Sequence, residues 1–557
     1  TGKGWESEIL EYKTQEELIQ NWANILYENN NIPDRLNGAP LTKGEMDQIL
    51  EKIAALKTPF ALNGLINGKT IDIKRDNPDD ALHLGKEISL KIYDRAEIAA
   101  GQSRYQILRQ PKFKSASPML NDRRGDIMLL INGMPLFHIE LKNSGVPISQ
   151  ACEQIRKYSK EGIYRGIFAL VQIFVAMTPQ KMLYFANPGE WEKFNDNFFF
   201  SWADFNNEPI NDYRQIADKF LSIPMAHQMI GFYTIADRSD GILKVMRSYQ
   251  YYAASAISSK VSKITWGSEN RGGFIWHTTG SGKTITSFKS AQLIASSGDA
   301  DKVVFLIDRI ELGTQSFKNY QAFADDDESV QDTNSTRTLI TKLKSTNSSD
   351  TLIVTSIQKM SKIKADGTNN HDLEIINNKR VVFIVDGAHR STFGDMMHSI
   401  KSNFNKALFF GFTGTPIHKE NQKSSNTTVD VFGNELHRYS ISDGIRDKNV
   451  LGFDVYMVTT YKDNDLRQAV ALQKSNSNSV DEAMSDEKRK KIFLEYMQNI
   501  DMLEIEKQLP NSQYNNAEHR AKVIEDIKEN WDILSVNGKF HAILATSSIS
   551  QAVKYYK

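Results

Sequence analysis

Two groups of residues in this chain have the types and spacing to do chemistry on phosphates. The first is His277–Thr278–Thr279–Gly280–Ser281–Gly282–Lys283–Thr284, which directly follows the apolar Phe274–Ile275–Trp276 and precedes a helical stretch. Strand, glycine loop, Lys-Thr and helix is the arrangement in which backbone N–H groups and a helix N-terminus cradle phosphates. Across Thr279–Gly280–Ser281–Gly282 the glycines let the backbone wrap an anion. Lys283 then reaches the β/γ-phosphates of ATP, and the Thr284 hydroxyl ligates Mg²⁺. His277 stands where the usual eight-residue pattern has its first glycine. The run Val381–Asp386 reads as a buried strand delivering a carboxylate to the same Mg²⁺. Phe412–Thr413–Gly414–Thr415–Pro416 follows another strand, and Arg247–Ser248–Tyr249–Gln250 upstream offers a glutamine for adenine recognition.

The second group is Asp126, Glu140 and Lys142. Carboxylates that bind Mg²⁺, with a lysine near the attacked phosphate, are what metal-dependent phosphodiester hydrolysis needs. Ile127–Ile131 and Leu136–Leu141 are apolar runs joined through the hairpin signal Asn132–Gly133. Strand period puts Glu140 and Lys142 on one face. A two-residue Asn132–Gly133 loop pairs Asp126 with Ile139, on the wrong face. A three-residue Asn132–Gly133–Met134 loop with a bulge pairs Asp126 with Glu140, so the chemistry predicts the bulged hairpin. Gln154 and Tyr158 lie four apart on the next helix and so share a face. The basic stretch Arg104, Arg109, Lys112, Lys114, Arg123 and Arg124, opposed only by Asp122, is as readily a grip on a phosphate backbone as an ordinary solvated face.

Elements must position these residues. Residues 1–224 begin with a helical pattern (Leu18, Ile19, Trp22, Ile25, Leu26). The hairpin, a helix over Ile148–Tyr158 and a strand over Ile167–Ala176 then make a β-β-α-β core. Residues 225–450 alternate helical stretches with strands at Gly273–His277, Val303–Asp308, Leu352–Ser356, Val381–Asp386 and Leu408–Thr413. That alternation predicts a mostly parallel doubly wound sheet with ligands at the strands' carboxyl ends. Residues 451–557, with expected strands at Asp454–Val458 and Phe540–Ala545, read as the first part of a further α/β domain. The fold class is α/β throughout. At 557 residues three or four domains are expected. The 68 basic and 68 acidic residues cancel, so a nucleic-acid partner must be met by local patches rather than a global field. The single cysteine, Cys152, excludes an intrachain disulfide and fits a reducing, cytoplasmic compartment. Gly166–Met177, the longest strongly apolar stretch, is too short to span a bilayer, and no membrane partner is expected. The chain opens at Thr1–Gly2–Lys3 with neither an initiator methionine nor a leader, and stops at Tyr555–Tyr556–Lys557; a fragment is expected.

In order, these motifs resemble the superfamily-2 helicase motor set. Tyr249–Gln250 is similar to the glutamine motif, the glycine loop to Walker A, and Leu306–Ile307–Asp308–Arg309 to motif Ia. Thr355–Ser356–Ile357–Gln358 is similar to a DNA-strand motif, Asp386–Gly387–Ala388–His389 to the Asp-Glu-Ala-His box, and Thr413–Gly414–Thr415 to motif III. The resemblance implies nucleotide contacts that include His389 and DNA contacts at Arg309, Thr355, Thr413 and Thr415. The box's glutamate, which orients the attacking water, is Gly387 here. Asp126…Glu140-x-Lys142 followed by Gln154-x-x-x-Tyr158 resembles the PD-(D/E)xK nuclease core. A nuclease of that type ahead of such a motor resembles the motor/nuclease (R, HsdR) subunit of type I restriction–modification enzymes. The resemblance implies assembly with methyltransferase (M) and specificity (S) subunits. It also implies ATP-driven translocation on double-stranded DNA and Mg²⁺-dependent cleavage away from the recognition sequence. The arginine finger of the second motor lobe and the C-terminal helical domain of that family are absent from these residues. Two other readings stay open: a methyltransferase-independent nuclease–helicase fusion, and an ATP-dependent DNA clamp that does not turn over.

Overall fold

The computed structural model describes residues 2–68, 70–98, 102–114, 119, 121–267, 272–307, 335–363, 370–387, 393–418, 427–509 and 514–557. They form two compact units, Thr1–Leu451 and Gly452–Lys557.

The first unit holds two six-stranded sheets. In the first sheet the strands are β1 (Ile9–Glu11), β2 (Tyr105–Arg109), β3 (Ile127–Ile131), β4 (Met134–Leu141), β5 (Ile173–Thr178) and β6 (Lys181–Ala186). They lie side by side in chain order. β1–β2 and β4–β5 are parallel, and the other neighbours are antiparallel. The helical pattern near the N-terminus becomes Gln15–Asn30, started by a capping box in which Thr14 and Glu17 exchange hydrogen bonds. It buries Leu18, Trp22, Ile25 and Leu26. Helix α1 (Ser149–Lys160) turns Ala151, Cys152, Ile155 and Tyr158 inward and packs on β4 and β5. Part of the strand expected over Ile167–Ala176 is instead a 3₁₀ turn, Gly166–Leu170, and β5 begins only at Ile173.

The hairpin corrects the sequence expectation in an instructive way. Its turn is the two-residue one: Ile131 pairs with Met134 across Asn132 and Gly133, whose φ values of 51° and 82° are both positive, as an Asn-Gly hairpin turn demands. The bulge lies inside the strand. Leu130 faces Pro135, Leu129 faces Phe137, and Leu136 is the extra residue. Pro135 has no N–H to give the ladder, so the irregularity falls there. Beyond it Ile127 faces Ile139, which sets Asp126 opposite Glu140, as the chemistry required.

The second sheet is entirely parallel. Its strands are β7 (Gly273–His277), β8 (Lys302–Ile307), β9 (Leu352–Ser356), β10 (Val381–Asp386), β11 (Leu408–Thr413) and β12 (Glu435–Tyr439). Their order is β9-β8-β10-β11-β7-β12. Strands β8, β9, β10 and β11 are buried along their whole length, which explains their unbroken apolar reading. Helices α2 (Ser248–Lys263) and α3 (Lys283–Ser297) pack together beside it.

The second unit is helical among its described residues, with helices at Asp463–Lys474, Val480–Met484, Glu487–Gln498, Met502–Gln508, Ala517–Leu534 and Ile549–Tyr556. The strands expected at Asp454–Val458 and Phe540–Ala545 are not formed: both runs are unpaired. Met457 and Ile543 are 85% and 97% exposed. An apolar run becomes a strand only when a neighbour takes its ladder bonds.

Candidate active sites

In the first sheet the end of β4 carries the chemistry. Glu140 is buried, and its Oε1 accepts a hydrogen bond from Lys142 Nζ at 3.2 Å. Lys142 Nζ also donates to Gln154 Oε1 at 2.6 Å. The Gln154 amide donates to the Tyr158 hydroxyl at 2.6 Å, and that hydroxyl donates to the Arg124 carbonyl at 2.8 Å. Asp126, opposite Glu140, accepts from the Leu141 N–H at 2.7 Å. All five residues singled out from sequence therefore lie in one continuous network. Burial, and then the neighbouring Glu140 carboxylate, push the Asp126 carboxyl above its ordinary range. Burial, then Glu140, pushes the Tyr158 hydroxyl up to about 12.

Sequence reasoning missed the back wall of this centre. His138, two residues before Glu140 and so on its face, puts Nε2 3.5 Å from Glu140 Oε2, and its Nδ1 lies 2.8 Å from the Tyr164 hydroxyl. Strand period alone pointed to His138. Glu140 Oε2 is buried without a hydrogen-bond partner. An orphaned carboxylate oxygen beside a second, crowded carboxylate suits a hard divalent cation such as Mg²⁺, so Asp126 and Glu140 could hold one. Among the described residues no group of three or more His, Cys, Asp or Glu is placed to hold a metal ion. Two protein carboxylates per Mg²⁺, with water and phosphate oxygens completing the shell, is the usual economy for that ion.

The basic stretch is less available than its sequence suggests. Arg104 is paired with Glu6 and Glu28, Arg109 with Glu11, and Arg123 with Glu161. Arg124 lies over the Tyr12 ring. The opposing acids, Glu6, Glu11, Glu28 and Glu161, are distant in sequence from the stretch they meet.

In the second sheet the glycine loop joins β7 to α3. Gly280 and Gly282 both take positive φ, 82° and 79°, the left-handed region that glycine enters without strain. Thr279, Gly280 and Gly282 are exposed, and Lys283 and Thr284 are half-buried. Ser281 is buried and donates through Oγ to the Thr278 carbonyl at 2.6 Å, so its side chain shapes the loop from inside. Lys283 Nζ donates to the Thr278 carbonyl at 3.1 Å, and burial lowers its pKa against the pull of Asp386. Thr284 Oγ1 lies 3.4 Å from Asp386 Oδ2 at the carboxyl end of β10. A hydroxyl and a carboxylate so placed are hard oxygen donors that could hold a divalent cation such as Mg²⁺. Gln250 is buried; its amide nitrogen faces the Ser281 and Gly282 carbonyls at 3.3 and 3.4 Å, and its Oε1 accepts from the Arg247 N–H at 3.0 Å. Gln250 thus braces the phosphate loop. A mostly apolar cavity of about 190 Å³ adjoins it, with Phe199, Phe200, Arg247, Gln250, Gly282 and Ile285 in its wall.

Of the residues assigned to DNA, Thr355 and Thr413 are fully buried core side chains, so neither hydroxyl can reach a phosphate backbone in this arrangement. Thr415 is exposed, and its N–H donates to Thr413 Oγ1 at 3.1 Å. Arg309 and His389 lie outside the described residues. No helix among the described residues is long and apolar enough to cross a membrane.

Two protein families match this chain. The family described as type I restriction enzyme R protein N terminus matches residues 4–193, and the SWI2/SNF2 ATPase family matches residues 249–490. A type I restriction enzyme endonuclease subunit of Staphylococcus saprophyticus is 34% identical over 99% of this chain and 52% of its own length. The chain thus spans about half the length of that curated relative. The C-terminal part of the MpnIIP type I restriction enzyme endonuclease subunit of Mycoplasma pneumoniae is 35% identical over 36% of this chain and 99% of its own. A nuclease-deletion mutant of the Type ISP restriction-modification enzyme LlaGI, solved with a DNA substrate mimic, is 16% identical and covers 56% of this chain and 32% of that one. Its TM-score against this chain is 0.28. The chain belongs to the family of type I restriction enzyme endonuclease subunits.

Proposed function

We propose that this chain is the nuclease-and-motor portion of a subunit that pulls double-stranded DNA with ATP and cuts it away from the recognition sequence, in the cytoplasm, beside methyltransferase and specificity subunits. Residues 1–224 would be the nuclease domain, 225–450 the first motor lobe, and 451–557 the start of a second. The observation that carries the reading is the Asp126–Glu140–Lys142–Gln154–Tyr158 network in the same compact unit as the Lys283–Thr284–Asp386 centre.

Each residue has a task that its surroundings explain. Asp126 and Glu140 would hold Mg²⁺, which when bound supplies charge to polarise a phosphodiester and activate water. Gln154, itself fixed by Tyr158, aims the Lys142 ammonium beside Glu140, where it can steady charge developing on the attacked phosphate. At the other centre the loop N–H groups and Lys283 would hold the triphosphate, and Thr284 with Asp386 its Mg²⁺. The apolar cavity beside Gln250 would take the adenine. A slow-turnover clamp is a second reading with its own support: Gly387 puts hydrogen where a water-activating carboxylate would stand.

The test uses the chain extended to the length of its relatives and assembled with a type I methyltransferase. Lys142→Ala should abolish ATP-dependent cleavage while ATP binding persists, and Lys283→Ala should abolish both. Cleavage retained by Lys142→Ala would remove the nuclease assignment. Wild-type tracking along DNA by Lys283→Ala would place the motor elsewhere.

A further inference from the structure

The phosphate loop is anchored to the edge strand β12 by an unusual pair. His277, the fully buried last residue of β7, sets Nε2 3.1 Å from His437 Nδ1. His437 Nε2 in turn lies 3.0 Å from the Phe205 carbonyl. A carbonyl can only accept, so His437 carries its proton on Nε2 and accepts at Nδ1. His277 must then donate from Nε2. That fixes its Nδ1 as a bare lone pair, and this atom is buried with no hydrogen-bond partner among the described residues. Burial holds His277 well below the ordinary histidine range and His437 at about 4, so both rings are neutral at neutral pH.

Two further ties run from β12 to the loop. Thr278 N–H donates to the Tyr439 carbonyl at 2.9 Å. The Tyr439 ring stacks on Tyr249 at 3.7 Å, and the Tyr249 hydroxyl donates to the Ser281 carbonyl at 2.7 Å. The same strand is gripped by the turn 202–209, which leads on from the first sheet. Asn207 Nδ2 donates to the Arg438 carbonyl at 2.8 Å, and Arg446 Nη2 donates to the Asn207 carbonyl at 2.6 Å. The Phe205 ring meets His437 edge-on at 5.0 Å. Asn207 sits at φ 66° to make the turn.

The geometry points to His277 and His437 as positioning residues that couple nucleotide occupancy of the phosphate loop to the docking of the 202–209 turn on β12. The inference rests on reading Gly280–Thr284 as the ATP site. Neither imidazole touches a reacting atom. Their worth is directional: a donor–acceptor chain with one allowed set of tautomers transmits a displacement of the His277 backbone to the Phe205 carbonyl. A glycine at 277, as in the usual pattern, would have no such reach. An orphaned buried lone pair is a cost that packing alone does not explain.

Hydrogen exchange on the intact 557-residue chain tests this. Mg²⁺ with a non-hydrolysable ATP analogue should slow exchange of the 202–210 amides by about fivefold, the effect of roughly one net hydrogen bond. In His437→Phe the analogue should still bind and the slowing should vanish. Should that variant not fold, Asn207→Gly removes only the amide bond to Arg438 and leaves φ unstrained. By linkage it should weaken analogue binding about two- to fivefold. Analogue bound by the wild type with no change at 202–210, slowing retained in His437→Phe, or unchanged affinity in Asn207→Gly would each overturn the coupling. No binding by the wild type would instead refute the ATP-site reading beneath it.

Discussion

Introducing a glutamate at position 387 probes the residue that departs from the Asp-Glu-Ala-His pattern of the motor. Gly387 follows Asp386 at the end of β10 with φ 77°, and a Cβ there would meet nothing within 4 Å. Gly387→Glu therefore has room, and its cost is the left-handed backbone, about 1–2 kcal/mol for an L-residue. Against about 5–15 kcal/mol of total stability, that leaves the protein folded. Thr284 and Asp386 keep their 3.4 Å approach and Lys283 its bond to the Thr278 carbonyl, so ATP affinity should be unchanged. What the carboxylate adds is orientation and activation of water, a contribution of about 10²–10⁴ in rate. The assay is steady-state ATP hydrolysis in the full-length, partner-bound enzyme, comparing Gly387, Gly387→Glu and Gly387→Ala. Alanine carries the same backbone strain without the carboxylate, so only glutamate should gain. Equal, fast turnover in all three would show that another group, such as His389, already does the work. A gain with alanine would trace the effect to the backbone.

Two further expectations concern stability. His227 and His437 are held neutral by burial, each lowered from the ordinary 6.5 to about 4. The unfolded chain therefore binds more protons between those values, and stability is full above pH 6.5 and falls as pH drops toward 4. From pH 6.5 to 5 the loss is roughly 1–2 kcal/mol for each group, and denaturant midpoints that stay flat over this window would contradict it. Gly133→Ala should cost roughly 1–3 kcal/mol, because φ there is 82° and the new Cβ would come within 2.9 Å of Trp22 Cα. An unchanged melting temperature would mean the hairpin and the Gln15–Asn30 helix shift apart freely.

Much of each site was legible because its information is local. A glycine loop must sit between a strand and a helix to offer its N–H groups, and Glu140, Lys142, Gln154 and Tyr158 are tied by strand and helix periods. The strands β7, β9, β10 and β11 were equally plain, since burial on both faces leaves an unbroken apolar run. What the sequence hid depends on a partner far along the chain. Short strands such as β1, β2 and β12 are held by neighbours more than by composition. Arg75 is buried with Glu45 and Asp80, a charge cluster no local pattern announces. The runs at 454–458 and 540–545 have strand composition but no ladder partner, so they form none.

The hairpin draws the two kinds of information together. Chemistry demanded that Asp126 face Glu140, and that demand correctly required one extra residue between them. It could not say where. Asn132–Gly133 is too strongly a two-residue turn to stretch, whereas Pro135 already lacks the N–H that a regular ladder would use. The weakest rung took the insertion. The need for two carboxylates to meet can therefore predict register across a hairpin, while the placement of the defect that satisfies it follows from which backbone groups are cheapest to leave unpaired.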